Sequence, residues 1–132
     1  MTKRRTAAKS LLMDAAALDF ADESFDNVTF FYSLMFMSTE TKAKAIAEAC
    51  RVLKNSGILT IWDTEFESAY PDAFTVELDI SLPEENVHTE YGILGTDVAQ
   101  SAESIISMCC ECGAKPLEHA ENRKSFCIVL KK

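Results

Sequence analysis

The sequence predicts an α/β fold, in which a sheet has a helix on each face and carries an added β-hairpin. Three observations predict it. A strand, an amphipathic helix and a second strand follow one another between residues 27 and 62, which is the order of a crossover unit. Two alternating segments then flank a turn, which is typical of a hairpin. A capped helix and two short strands complete the chain.

The strands of the crossover unit are two runs of β-branched and aromatic residues, 27–32 and 58–62. Neither run alternates cleanly between apolar and polar side chains. Strands of this composition are typically buried on both faces of a parallel sheet. We therefore expect both runs to be buried on both faces.

The helix between these strands is predicted over residues 40–54, because Ser38 and Thr39 supply N-cap side chains before it. Residues 55–57, with the sequence Asn-Ser-Gly, are expected to end it. Its inward positions recur every three or four residues, and they are Ala43, Ile46, Ala47, Cys50 and Leu53.

The middle of the chain alternates strictly between apolar and polar side chains. Residues 74–82 and 87–93 both follow this period of two, and residues 83–86 form a turn sequence between them. A hairpin with one solvent-exposed face is therefore predicted.

The last part of the chain predicts a helix over residues 102–112, capped by Ser101 and ended by Gly113. Residues 115–119 and 125–130 then predict two short antiparallel strands at the edge of the sheet. The inward helix positions are Ile105, Ile106 and Cys109.

Composition limits the class of protein. The chain has 132 residues, 48% of them hydrophobic, and a formal net charge of −8, which suits one domain with its own core. A body this acidic is repelled by phosphate backbones, so we expect no nucleic-acid partner. No apolar run can span a bilayer, so we expect no membrane contact and a cytoplasmic location. The basic residues 1–9 favour a solvated end over a mitochondrial presequence.

The five cysteines form an odd count without a secretory signal, so free thiols are expected. The cluster Cys109, Cys110 and Cys112 raises the possibility of a metal site. The two histidines lie on other elements, and the sequence contains no second Cys-x-x-Cys pair. The favoured interpretation is that Cys109 and Cys112 pack as small hydrophobic residues, with no metal bound.

Five short motifs follow one another from Asp14 to Asp63, and they carry a family resemblance. They are Asp14-Ala15, Leu18-Asp19-Phe20, Ser24-Phe25-Asp26, the run from Glu48 to Lys54, and a strand that ends in Asp63. In this order and spacing they resemble the class I S-adenosylmethionine-dependent methyltransferases of the ubiquinone and menaquinone biosynthesis type. The chain departs from the family's prolines and glycine at Asp19 and at residues 55–56, where Asp, Asn and Ser are acceptable turn formers.

The resemblance implies a truncated Rossmann-like methyltransferase sheet, with the family's fourth, fifth, seventh and sixth strands side by side. Residues 1–132 would form a single partial domain, with a hairpin insertion at about residues 73–94. The family's glycine-rich cofactor loop and its ribose-binding acid would both precede Asp14, and none of the first thirteen residues is glycine. We therefore expect S-adenosylmethionine to bind weakly or not at all to this chain alone.

The resemblance also implies cofactor-binding residues. It assigns Asp14 to the adenine amino group and the Ala15 amide to a ring nitrogen, whereas Phe30, Phe31 and Tyr32 would line the sulfonium and amino-acid end. Asp14 could instead be a simple turn residue, and the three aromatic residues would be core in any buried strand.

Three side chains are weak catalytic candidates. His88 could act as a general base oriented by Glu90, although both lie on the solvent-exposed face of the predicted hairpin. Asp63 follows the carboxyl end of a parallel strand, where ligands of α/β proteins bind.

Three functions remain open. The first is methyl transfer to a small-molecule acceptor, once a missing N-terminal half completes the domain. The second is an inactive binding or assembly module that retains the methyltransferase fold. The third is a thiol sensor that uses Cys109, Cys110 and Cys112.

The chain is expected to form a homodimer, or to bind a partner chain, through the strand at residues 27–32. In the family this strand is central, whereas here its far side would be empty. An exposed apolar edge tends to pair with another strand. Residues 6–17 are expected to be helical or disordered, and a regular strand at 10–13 is not expected. These residues could instead fold back over the edge.

Overall fold

The computed structural model describes residues 7–67, 72–93 and 97–132. Within these ranges, no helix is long and apolar enough to cross a membrane. In chain order the elements are β1 (Phe25–Phe31), a short 3-10 helix (Leu34–Phe36), α1 (Thr39–Val52), β2 (Leu53–Thr64), β3 (Phe74–Ser81), β4 (Asn86–Ile93), α2 (Ala102–Glu111), β5 (Lys115–Asn122) and β6 (Ser125–Lys131).

The main sheet contains four strands in the spatial order β1, β2, β6, β5. β1 runs parallel to β2, and β6 pairs antiparallel with both β2 and β5. These strands correspond to the fourth, fifth, seventh and sixth strands of the resemblance, so the predicted order is confirmed. At the centre, Ile61 lies beside Phe30 on β1 and Ile128 on β6, and all three side chains are buried.

Both α-helices pack on the same face of this sheet, so the prediction of a helix on each face is wrong. Ile46 of α1 and Ile105 of α2 share one hydrophobic core with Leu59 of β2. The connections β1–α1–β2 and β2–α2–β5 join parallel strands and step in the same direction across the sheet. Because such crossovers are right-handed, both helices are placed on one face.

The opposite face of the sheet carries half-exposed apolar side chains. Phe31, Trp62 and Cys127 lie side by side in the register, and alternation along each strand points them away from the helices. Phe31 is 53% exposed. The prediction that residues 27–32 are buried on both faces is therefore wrong, because neither α1 nor α2 covers this face and β1 is an edge strand.

The buried face of α1 differs from the predicted one. Ala43 and Ala47 are exposed, and Lys42 lies among the buried residues. The charge on Lys42 hid it from an apolar pattern, although a long lysine stem can pack against apolar surface. The observed buried positions are Lys42, Ala45, Ile46, Ala49, Cys50 and Val52.

The ends of α1 follow the sequence in part. The Ser38 hydroxyl caps the helix by accepting a hydrogen bond from the Thr41 amide at 3.2 Å, as predicted. The helix ends at Val52, because Leu53 is already extended with φ −80° and ψ 132°. β2 therefore begins before residues 55–57, which the sequence had assigned to the helix end.

The ends of α2 match the predictions. Ser101 and Ser104 form a reciprocal capping box, in which each hydroxyl accepts a hydrogen bond from the other residue's backbone amide. Gly113 follows the helix with φ +91°, a left-handed conformation that glycine adopts without a steric penalty.

The predicted hairpin is present as β3 and β4. The two strands pair antiparallel in continuous register from Phe74 opposite Ile93 to Ser81 opposite Asn86. Its buried side chains pack on the 3-10 helix and on Phe66, two residues after β2, in a second core. This core is formed by Met35, Phe66, Val76, Leu78 and Ile93.

The described N-terminal residues 7–17 form neither helix nor strand. Of the two alternatives predicted for residues 6–17, the helix is absent from the described residues 7–17, and residue 6 lies outside them. The expectation that residues 10–13 form no strand is confirmed. Beyond this segment, the Leu18 amide donates a 2.9 Å hydrogen bond to the Glu48 carboxylate, which ties the chain to α1 before it enters β1.

Candidate functional site

The carboxyl ends of β1 and β2 bring three aromatic side chains together. Tyr32 follows β1 with φ 50°, an unusual left-handed conformation for a bulky residue, and its amide donates to the Trp62 carbonyl at 2.8 Å. The Phe31 ring makes edge contacts with both Tyr32 and Trp62, at centroid distances of 4.9 and 5.8 Å. A change of backbone conformation thus turns Tyr32 out of the strand.

A cavity of about 750 Å³ opens at this place. Tyr32 and Trp62 line it from the main sheet, residues 75–79 line it from the hairpin, and residues 120–127 line it from the turn between β5 and β6. A cavity of this size accommodates a small organic molecule. Because ligands of α/β sheets bind outside the carboxyl ends of the parallel strands, its position is that of a ligand site.

Asp63 is completely buried next to this cavity and is held by three hydrogen bonds. It accepts from the Thr64 amide at 2.9 Å, from the Gln100 side chain at 2.7 Å and from the Leu34 amide at 3.0 Å. Burial raises the pKa of Asp63, and these hydrogen bonds oppose the rise. The carboxylate therefore ties β2 to the 3-10 helix and does not line the cavity.

Lys42 extends this buried polar group. It is 1% exposed, its Nζ donates to the Val98 carbonyl at 2.6 Å, and it lies 5.6 Å from the centroid of the Phe66 ring. Burial lowers the pKa of Lys42 to about 8, against the attraction of Asp63 and Asp97. Sequence reasoning missed Lys42, although its place one helical turn before Ile46 was a signal.

Gln100 is the other residue that sequence reasoning missed. Its amide nitrogen donates to Asp63 and to the Thr64 carbonyl, and its backbone pairs with Phe66 in a short bridge. Its Oε1 atom is buried and has no hydrogen-bond partner among the described residues. No local signal could have found Gln100, because its partners lie more than thirty residues away along the chain.

Comparisons with known proteins relate the chain to a family and a fold. Residues 1–61 match the family model described as a methyltransferase domain. The fold of the chain is that of a partial class I S-adenosylmethionine-dependent methyltransferase domain. No curated protein sequence matches it.

Solved structures resemble this partial domain over most of its length. The PH0226 protein of Pyrococcus horikoshii OT3 is 16% identical with a TM-score of 0.63, and 91% of this chain aligns with 60% of it. A methyltransferase of Methanosarcina mazei is 19% identical with a TM-score of 0.59, and the aligned shares are 91% and 65%. CalS10 of Micromonospora echinaspora, an amino pentose methyltransferase solved with S-adenosylmethionine bound, is 15% identical with a TM-score of 0.61, and the shares are 90% and 62%. The chain thus spans less than two thirds of each.

The residues that the resemblance assigns to the cofactor lie at different places in the partial domain. Asp14 is exposed in a turn, where its Oδ1 accepts from the Ala16 amide at 2.8 Å, and Ala15 packs against the main core. Phe30 is buried beneath the helices. Phe31 lies on the open face, and Tyr32 lines the cavity. The assignment of all five to the cofactor stays a prediction.

The two catalytic candidates on the hairpin do not pair with each other. His88 Nδ1 lies 2.6 Å from Asp79 Oδ1, and this hydrogen bond raises the pKa of His88. Glu90 lies directly across the hairpin from Glu77, which is a pair of like charges. Glu77 and Asp79 line the cavity, whereas His88 and Glu90 do not.

The thiols of the partial domain are free, as predicted. Cys109 is completely buried in the main core, and burial raises its pKa to about 12. Burial also raises the pKa of Cys112, which is half-buried. Because the thiolate is the reactive form, both residues are poor thiol sensors. Cys110 is exposed.

Proposed function

We propose that this partial domain supplies the acceptor-binding side of an S-adenosylmethionine-dependent methyltransferase, and that it acts on a small molecule when a glycine-rich cofactor-binding half completes it. The observation that carries the proposal is the cavity of about 750 Å³ at the carboxyl ends of β1 and β2. Tyr32 and Trp62 bound it from the sheet, and β3 bounds it from the hairpin. The position, size and mixed lining suit a methyl acceptor.

The chain's residues can hold one end of the cofactor. The Asp14 Oδ1 atom is oriented by the Ala16 amide, and Oδ2 has no hydrogen-bond partner among the described residues, so it can accept from the adenine amino group. Ala15 would offer its amide to the ring beside it. When bound, S-adenosylmethionine supplies an already activated methyl group. The protein then contributes mainly orientation of the acceptor and exclusion of water.

A partner chain is part of this proposal. β1 is an edge of the main sheet, and no described residue pairs with its far side. Phe25 and Phe31 on this strand are 36% and 53% exposed. Such an edge suits either a second copy of this chain or a chain that brings the cofactor-binding half. For the chain alone we favour the second copy, because two-fold contacts of this kind are the commonest in oligomers, and a cofactor-binding half would replace that copy at the same edge.

An inactive binding module is the second candidate, and one observation favours it. Asp63 is the acid best placed at the end of β2, but its carboxylate is buried and held by protein hydrogen bonds. It cannot reach a substrate in the cavity without breaking them. An inactive module would retain the cavity and lack the transfer reaction.

Joining the chain to a cofactor-binding half tests the proposal. The part of the Methanosarcina mazei methyltransferase that the chain does not cover would be fused before residue 14. We expect methyl transfer from labelled S-adenosylmethionine to at least one member of a panel of small amines, phenols and carboxylates. Tyr32→Ala should lower the rate at least about tenfold, because it removes an orienting contact. Leu117→Ala, an exposed residue on the opposite edge, is the matched control.

The same fusion separates the two candidates. If it binds S-adenosylhomocysteine and transfers no methyl group to any acceptor, the inactive module is correct. If Tyr32→Ala and Leu117→Ala transfer at the same rate, the cavity is not the acceptor site.

A further inference from the structure

We propose that the cavity between β3 and the turn joining β5 and β6 binds a zwitterion, a small molecule with an aromatic body, an ammonium group and a carboxylate. Its role as the methyl acceptor rests on the proposed function, whereas its binding does not. The observations that carry the proposal are the aromatic pair at the sheet and two unpaired opposite charges on facing sides.

The acidic side chains around the cavity fall into two groups. Two acids are already paired, since Asp79 contacts His88 at 2.6 Å and Glu121 contacts His119 at 3.1 Å. Glu77 on β3 lines the cavity and forms no ion pair with any described residue. This leaves one free carboxylate on the hairpin side.

The opposite side of the cavity holds Arg123. This residue lines the cavity and forms no ion pair with any described residue, Glu77 included. The turn that carries it is fixed to β2, because the Lys124 carbonyl accepts from the Thr64 hydroxyl at 3.2 Å and from the Glu65 amide. A ligand bridging the two sides would offer an ammonium to Glu77 and a carboxylate to the planar fork of Arg123.

Backbone conformation singles out the same cavity. Four residues other than glycine have positive φ among the described residues, and two of them, Tyr32 at 50° and Arg123 at 60°, line it. Glycine or asparagine would adopt this conformation with less strain. The chain instead keeps an aromatic ring and a cation there. Strained backbone that presents chemically specific side chains is typical of binding sites.

The aromatic pair supplies the apolar part of the site. Tyr32 and Trp62 present ring faces or edges at the sheet side, and Phe31 supports both from the open face. An aromatic ligand can stack on such rings, and its ammonium group is attracted to the negative face of an aromatic ring. A ring between the two charged groups therefore matches the lining better than an aliphatic chain does.

Trp62 is the single tryptophan of the chain, so its fluorescence reports occupancy of the cavity directly. The complete chain would be titrated, without cofactor, with phenylalanine, phenethylamine and hydrocinnamate. These probes share a ring and carry both charges, the cation only, and the anion only. We expect phenylalanine to bind about tenfold more tightly than either single-charge probe, since each of those probes lacks one charge-assisted contact.

Two variants assign the contacts. Glu77→Gln should weaken the binding of phenylalanine and phenethylamine about tenfold and leave the binding of hydrocinnamate unchanged. Arg123→Gln should weaken the binding of phenylalanine and hydrocinnamate and leave the binding of phenethylamine unchanged. Glu103→Gln, on exposed α2 surface away from the cavity, is the matched control and should change nothing.

The proposal is overturned if the three probes bind equally, or if none changes the Trp62 fluorescence at millimolar concentration. It is also overturned if Glu77→Gln and Glu103→Gln behave alike. Because these titrations contain no cofactor, none of these results bears on methyl transfer, which the fusion protein tests separately.

Discussion

At the scale of single residues, Arg51 connects the N-terminal segment to α1. Its guanidinium donates to the Phe20 carbonyl and the Asp22 carboxylate at 2.8 Å, and to the Leu18 carbonyl at 3.0 Å. It also holds both oxygens of Glu48, which accepts from the Leu18 amide. The Glu-x-x-Arg spacing of the family motif therefore has a structural cause, because the pair fixes the approach to β1.

Replacing Arg51 by lysine should lower the free energy of unfolding by about 1–2 kcal/mol, because an ammonium group cannot reproduce the planar fork. Chemical denaturation measures this change, and faster exchange of the Leu18 amide would locate it. The matched control is Arg123→Lys, at an arginine without hydrogen bonds to the described residues. Equal stability of the two variants would contradict the role of Arg51.

Residue-level predictions from the sequence succeeded where the cause is local. Ser38, Ser101 and Gly113 were predicted to bound the helices, because caps act within three or four residues. Lys42 and Gln100 were not predicted as site residues. Their burial depends on partners far away along the chain, which periodicity does not reveal.

At the scale of elements, a buried polar group joins the hairpin to the main sheet. The bridge between Phe66 and Gln100 closes the two ends of the hairpin, and Gln100 is hydrogen-bonded to Asp63 at the end of β2. Lys42 of α1 reaches the same region through the Val98 carbonyl. The hairpin that bounds the cavity is therefore positioned by buried hydrogen bonds as well as by its apolar face.

This arrangement predicts a pH dependence of stability. The pKa of Lys42 is lowered from 10.5 to about 8 in the folded protein, so between these pH values the unfolded chain binds more protons. The contribution of Lys42 to stability should therefore rise with pH across this window. Denaturant unfolding should show that the free energy of unfolding rises with pH across this window in the unchanged protein relative to Lys42→Met, in which the amino group is absent.

The exposed Lys44, which pairs with Glu40 at 2.9 Å, supplies the control. In Lys44→Met the free energy of unfolding should rise with pH as it does in the unchanged protein. Parallel stability curves for Lys42→Met and the unchanged protein would show that Lys42 does not titrate in this window.

The elements themselves were largely predictable, whereas the face of the sheet on which each helix packs was not. Hydrophobic periodicity and turn residues predicted the strands in their order along the chain, together with the hairpin and α2. Placing both helices on one face required the direction in which each crossover steps, which follows from strand order and not from any single segment. The cavity was not predictable, because it forms between β3 and a turn more than forty residues further along the chain.

At the scale of the whole molecule, the open edge of β1 is the predicted assembly surface. The Tyr32 amide points to β2, so the amides of Phe31 and Thr29 point outward by alternation along the strand. Two copies that pair antiparallel through this edge would join two four-stranded sheets into one of eight strands. The outward amides would form the new ladder.

Thr29→Pro should convert the dimer to a monomer, because it removes an outward donor without removing a hydrogen bond of the β1–β2 ladder. Phe31→Lys should do the same by placing a charge on the seam. Light scattering at micromolar concentration measures the mass. Leu117→Lys, at an exposed residue of the opposite edge strand, is the control and should stay dimeric. An unchanged protein that is monomeric would refute the dimer.

The measurement that tests the central claim most directly is calorimetric titration of S-adenosylhomocysteine into the chain alone and into its fusion with a cofactor-binding half. The claim is that this chain holds the adenine end and the acceptor cavity, and depends on a second half for the rest. We predict a micromolar dissociation constant for the fusion, weakened about tenfold by Asp14→Asn and unchanged by Asp19→Asn, and no measurable binding to the chain alone. A micromolar dissociation constant for the chain alone would contradict the claim.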